Sequence, residues 1–243
     1  MDSNITKKKF AKREYIYRKR IPYGMMNFVT VRERNCYYVD KTPFIEEIEN
    51  SNMYFFYIRP RRFGKSLTLS MLKQYYDINM ADRFEELFGG LYIGENPTPE
   101  HNTYLIISLN FAVVDANLEN YKKGLDAHCN TEFNYFCDVY AQYLPANLKE
   151  EMNKKDGAAE QLDYLCKECK KTGQKVYLFI DEYDHGTRYL RKFFDTIKSA
   201  TDSTLERVFV TGVSPVTMDD LTSGFNIGTN YSLAYEFNEM TGF

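Results

Sequence analysis

Arg59-Pro60-Arg61-Arg62-Phe63-Gly64-Lys65-Ser66 joins two stretches of different periodicity. Before it lies a continuous apolar and aromatic run, Met53–Ile58, which reads as a strand buried on both faces. After it, Leu67–Ile78 carries Leu69, Leu72, Tyr75 and Tyr76 near helical spacing. A strand, a loop ending Gly-Lys-Ser and a helix form the G-x-x-x-x-G-K-[ST] phosphate loop, with Arg59 where the first glycine stands. In such a loop the backbone N–H groups of Arg61, Arg62, Phe63 and Gly64 and the positive helix end face phosphate oxygens. Lys65 reaches the outer phosphates and the Ser66 hydroxyl ligates magnesium. The side chains of Arg61 and Arg62 add positive charge for the nucleotide, an acidic partner or neighbouring carboxylates, and the sequence does not choose among these.

A second constellation follows another apolar run. Val176–Ile180 ends in Asp181-Glu182, the pattern of a Walker B strand. Asp181 is expected to hold magnesium, and Glu182 to act as general base on an attacking water. Val208–Val213 is a further buried run that turns polar towards its end. Thr211 and Ser214 are both candidates there for sensing the outer phosphate or orienting the water.

Other signals carry less. Asn153-Lys154-Lys155-Asp156 spells a guanine-reading tetrapeptide, but it precedes Asp181 and follows no apolar strand. Cys166-x-x-Cys169 lacks a second pair, and His128, Cys129 and Cys137 match no common zinc spacing. His101 and His185 have no evident nucleophile partner.

These motifs need a parallel sheet to bring them together. Strands are expected at 53–58, 104–111, 176–180 and 208–213, with a fifth near Tyr231–Ala234, alternating with helices. Thr42-Pro43 reads as a helix N-cap with proline in the first turn of a helix running to about Asn50. The helix-like stretches within 117–171 form an inserted side feature. The expected fold is a three-layer α/β P-loop NTPase sandwich. Its expected division is a basic segment and leading helix over 1–52 and the core over 53–243.

The whole chain is compatible with this picture. Its 243 residues are 44% apolar, and 21 Tyr and 18 Phe supply a large core despite the absence of Trp. The net charge of −3 gives no global drive towards nucleic acid. Only residues 1–20 are strongly basic, so a nucleic-acid or acidic-partner role rests on that arm. Five cysteines, an odd count, suggest free thiols in a reducing compartment. No apolar run has the length of a signal peptide or a membrane span. The expectation is a cytoplasmic protein without a membrane partner.

Taken together, the chain resembles the AAA-ATPase-like P-loop proteins of bacteria from about residue 21 onward. The resemblance rests on Ile21-Pro22-Tyr23-Gly24, Tyr38-Val39-Asp40-Lys41-Thr42, Arg59–Ser66, Asp181-Glu182-Tyr183-Asp184 and Thr211-Gly212-Val213-Ser214-Pro215. Phe225-Asn226-Ile227 and Phe237-Asn238-Glu239-Met240 add to it. Arginine at the first loop position looks like a trait of that family. The resemblance implies ATP and Mg2+ as ligands and ATP hydrolysis as the activity, with a partner it does not name and an oligomer compatible with it. Members often continue into a helical lid and a PD-(D/E)XK nuclease-like domain. This chain stops at Phe243 and is expected to lack both. The rival expectations are a nucleotide-dependent switch with little turnover and a nucleic-acid-associated module. Arg188, Arg191 and Arg207 are candidates for a transition-state arginine by position alone.

Overall fold

The computed structural model describes residues 19–114, 120–183, 187–201, 205–214 and 228–242, the side chains of 187–189, 191, 192 and 201 excepted. Five strands form one sheet: β1 (Tyr54–Ile58), β2 (Tyr104–Asn110), β3 (Lys175–Asp181), β4 (Leu205–Gly212) and β5 (Thr229–Asn230). They lie in the order β2-β3-β4-β1-β5, and every pairing is parallel. The helices are α1 (Phe28–Glu33), α2 (Phe44–Glu49), α3 (Lys65–Tyr76), α4 (Phe84–Phe88), α5 (Tyr92–Glu95), α6 (Tyr121–Val139), α7 (Leu148–Asn153), α8 (Gly157–Lys171) and α9 (Thr187–Thr201). This is an α/β fold with a parallel sheet between two helical layers.

The strand residues divide by parity into two chemically distinct faces. Phe56, Ile58, Leu105, Ile107, Leu109, Val176, Leu178, Ile180, Val208 and Val210 pack against α6, α8 and α9. Phe55, Tyr57, Tyr104, Tyr177, Phe179 and Phe209 face the other way, towards α1 to α4. The abundant aromatic residues thus concentrate on one face, where Tyr177 stacks on Phe179 at 4.2 Å and Phe55 on Phe209 at 4.9 Å. Each such pair adds about 0.5–1.5 kcal/mol beyond the area it buries. Phe28, Ile45 and Ile48 are part of the same aromatic layer, so α1 and α2 pack against this face.

Three local expectations differ from the structure. The fifth strand is Thr229–Asn230, and Tyr231–Ala234 is a turn closed by Ala234 N–H to Tyr231 O at 3.1 Å. Asn230 Oδ1 accepts the Ser232 N–H at 2.9 Å, which turns the chain away from the sheet edge. Thr42 does not cap α2 through its side chain. Its hydroxyl donates to Asp40 Oδ1 at 2.7 Å and accepts the Ile93 N–H at 3.2 Å, tying α5 to the segment before α2. Arg207 lies on β4 at the end opposite the phosphate loop. It is paired with Glu100 at 2.8 Å, which removes it as a transition-state arginine. Residues 1–18 of the basic arm, His185, Pro215 and Phe225–Ile227 lie outside the described residues, as do the side chains of Arg188 and Arg191.

Candidate functional site

The sheet order places β4 between β1 and β3, so three strand ends open onto one crevice beside the N-terminus of α3. Parity then decides what points into it. Asp181 continues the Tyr177, Phe179 series on the α3 face, and Thr211 continues the Phe209 series. Ser66 Oγ donates to Asp181 Oδ2 at 3.1 Å, and the Thr211 hydroxyl donates to Asp181 Oδ1. The carboxylate is thereby fixed from both sides.

Past Asp181 the chain reverses. Glu182 adopts a left-handed conformation, φ 54°, costing on the order of 1 kcal/mol or more for a residue with a Cβ. Its N–H donates to Asp181 Oδ1 at 3.0 Å, and the next N–H, of Tyr183, donates to Thr211 O at 3.0 Å. The Tyr183 hydroxyl donates to Ser214 O at 2.8 Å. The turn is therefore latched to β4, and it aims the Glu182 side chain back at the loop. Glu182 Oε1 lies 3.7 Å from Lys65 Nζ, while Oε2 is buried and, among the described residues, has no hydrogen-bond partner. The Ser214 carbonyl holds the Tyr183 latch, and the Thr211 hydroxyl touches the acid.

Gly64 closes the loop at φ 83°, a left-handed conformation that glycine adopts without the Cβ cost. Arg62 is also left-handed, φ 68°. Arg61, Arg62 and Phe63 are exposed. Lys65 is only 5% exposed. Its ammonium folds back and donates to the carbonyls of Arg59 at 3.0 Å and Pro60 at 3.3 Å. The carbonyls and the Glu182 carboxylate together offset the cost of burying this ammonium.

Arg59 explains why an arginine can stand at the first loop position. Its guanidinium turns out of the loop and stacks over Tyr57 at 4.4 Å. It donates to Ser232 O and, at 3.4 Å, to Phe237 O. The Tyr57 hydroxyl also donates to Phe237 O at 2.9 Å and meets Thr241 Oγ1 at 3.2 Å. The segment 228–242 is thus fastened to the strand and loop that precede α3. Together with Ile21, Pro22, Tyr38 and Thr68, its residues Met240 and Thr241 line a narrow apolar cleft beside Gly64. No sequence pattern singled out this clamp; its one signal is the arginine that replaces the glycine.

A family model described as "Predicted AAA-ATPase" matches residues 22–222. The chain belongs to this family. Its parallel α/β sandwich is the P-loop ATPase-like fold, and the membership carries nucleotide binding as the family's general theme. A protein of Azotobacter chroococcum mcd 1, described as an uncharacterized protein in the vnfD 5′ region, is 42% identical over 77 residues. That similarity covers 31% of this chain but 14% of the Azotobacter protein, so the chain spans a small part of that relative's length. The predicted AAA-ATPase family thus accounts for the fold, while the residue roles rest on the geometry above.

The signals set aside in the sequence lie elsewhere. Asn153 ends α7 and exchanges amide hydrogen bonds with Asn134 at 2.8 and 3.2 Å. Cys166 and Cys169 are buried on α8, and burial pushes the Cys166 thiol up to about 12. Among the described residues no helix is long and apolar enough to cross a membrane.

Proposed function

We propose that this chain binds ATP with magnesium and hydrolyses it. The observation that carries the reading is the convergence of Lys65, Ser66, Asp181, Glu182 and Thr211 from three separate elements onto one crevice. Ser66 Oγ and the Asp181 carboxylate form an all-oxygen pair suited to a hard divalent cation, which would polarise the outer phosphate when bound. The left-handed Gly64 leaves the loop free of a side chain where the phosphates approach. Lys65 exchanges its loop carbonyls for phosphate oxygens, and that exchange releases Glu182. Glu182 Oε2 then accepts the proton of the attacking water as the water oxygen bonds to the outer phosphorus. The bridging oxygen leaves with ADP. The apolar cleft of Ile21, Pro22, Tyr38 and Met240 takes the base. The sandwich over 53–243, with α1 and α2 packed on it, is the nucleotide-binding unit of this proposal.

The Lys65–Glu182 contact favours a second reading, a nucleotide switch with little turnover, because a general base held in an ion pair is not available to water. Calorimetry with MgATP together with phosphate release from wild type and Glu182→Gln separates the two. Binding and a turnover lost in the variant support hydrolysis. Binding with the same negligible turnover in both supports the switch, and no binding removes both.

A further inference from the structure

A cavity of about 450 Å³ runs between α3 and the C-terminal ends of β2 and β3. Ser66 and Asp181 line it, but Gly64, Lys65, Glu182 and Thr211 do not, so it leads away from the phosphate loop. Away from Ser66 and the Asp181 carboxylate, its polar lining comes from Asn27, Ser70, Lys73, Ser108 and Asn110. Ser70 and Lys73 lie one and two turns along α3 from Ser66, on the same helix face. Ser108 and Asn110 fall on the α3 side of β2, where Tyr104 and Ile106 set the parity.

Four of these side chains share one property: the fold uses an acceptor of each and, among the described residues, none of their donors; the fifth, the Lys73 ammonium, has donors alone and spends one on Ser108. Asn27 Oδ1 accepts the Thr30 N–H at 3.1 Å, and Ser70 Oγ accepts the Phe28 N–H at 2.9 Å. Asn110 Oδ1 accepts the Ala112 N–H at 3.0 Å, and Ser108 Oγ accepts from Lys73 Nζ at 3.1 Å. The backbone bonds fix both amide orientations, so Asn27 Nδ2 and Asn110 Nδ2 face outward as donors. Among the described residues nothing accepts from these amides, from the two serine hydroxyls or from the remaining Lys73 N–H bonds. Burial pulls Lys73 below its ordinary value, against the carboxylates of Asp181 and Glu132. Unspent donors around a partly desolvated ammonium suit a ligand that only accepts.

The geometry points to a second subsite here, one that binds the oxyanion of a small molecule, a phosphate or a carboxylate, through Lys73, Ser108, Ser70, Asn27 and Asn110. The donors argue for the subsite by themselves; only its place beside the outer phosphate rests on the ATP reading. It gives the nucleotide site a neighbour that a second ligand can occupy.

The test uses the full chain carrying Lys65→Ala, which removes phosphate binding at the loop. Inorganic phosphate and acetate are titrated separately by calorimetry. One or both should bind saturably, and whichever binds names the oxyanion. Adding Lys73→Gln should weaken that binding about tenfold or more, the scale of a lost charged hydrogen bond. Adding Ser108→Ala instead should weaken it several-fold, and this variant decides the question if Lys73→Gln does not fold. Saturable binding that depends on Lys73 or Ser108 supports the subsite even if the wild-type chain fails to bind ATP. No saturable binding of either probe, or binding unchanged by both substitutions, overturns it.

Discussion

Lys65 Nζ stands 3.7 Å from Glu182 Oε1, and both side chains are largely buried. The pair joins the loop before α3 to the turn after β3, so the two halves of the candidate site hold one another in check. Exchanging Glu182 for glutamine keeps the shape but removes the ability to accept a proton. Glu182→Gln is therefore expected to retain ATP binding and to lose turnover by about 10²-fold or more, measured as phosphate release. Equal rates would take Glu182 out of the reaction.

Lys65→Ala should eliminate ATP binding in calorimetry. It should also cost stability, because the buried Glu182 carboxylate loses its cation and the Arg59 and Pro60 carbonyls lose a donor. A penalty of about 1–3 kcal/mol in denaturant unfolding is expected. Unchanged affinity in a folded variant would refute the loop assignment.

Thr211→Val keeps the volume of a fully buried side chain but deletes the hydroxyl that donates to Asp181. The expected outcome is a loss of about 1–2 kcal/mol of stability and a weaker magnesium dependence of ATP binding. Ser214→Ala keeps the carbonyl that the Tyr183 latch uses and should have a smaller effect on both, since the hydroxyl bonded to Asp181 is that of Thr211. The reverse ranking would transfer the sensing role to Ser214.

Arg59→Gly restores the glycine of the general loop pattern. It should not tighten ATP binding, because it also frees Ser232, Phe237 and the face of Tyr57. Hydrogen exchange should speed up across 228–242, including the amides that close its turns. If exchange there is unchanged, the clamp does not hold that segment.

Burial pushes the Glu100 carboxyl up, but the bonds from Arg207 and Tyr104 more than reverse this and leave it below its ordinary value of 4.5. A lowered carboxylate adds stability at pH values above its ordinary value and loses it as pH falls through the lowered one. Glu49 nearby has the opposite sign, raised chiefly by burial. It favours the fold at low pH and loses that contribution as pH rises through its raised value. The comparison of wild type with Glu100→Gln isolates Glu100. The variant should be less stable at pH 7 by about 1–2 kcal/mol, since the Glu100 carboxylate is partly screened by solvent, with the difference shrinking below pH ~4. A constant difference across that range would exclude the linkage.

Much of the site was legible in the sequence because its parts are local. Gly64-Lys65-Ser66 after an apolar run and Asp181-Glu182 at the end of another each mark a strand end, and the structure brings the two together. The four longer strands were legible for the same reason, as uninterrupted apolar runs. The fifth was not: two residues cannot show a pattern, and Thr229–Asn230 pair with β1 only because Tyr231 and Phe237 pack on Phe55. The fold of Lys65 onto its own loop carbonyls is a matter of burial, which spacing does not encode. Ser108 and Asn110 did leave a trace, since the α3-facing series Tyr104, Ile106, Ser108, Asn110 turns polar at its end. That trace gains meaning only once Lys73 is known to lie opposite.

The strand order has a consequence for how the chain comes into being. β1 carries the phosphate loop but finds its neighbours late, because Tyr54 pairs with Val208 and Phe55 with Thr229. By contrast β2 and β3 pair with each other before β4 exists. On the ribosome, β1 and its loop wait while most of the chain is made, and such distant parallel pairing is slow and leaves an apolar strand uncovered. A nascent chain arrested before β4 should be unable to retain nucleotide, however complete its Gly64-Lys65-Ser66 loop.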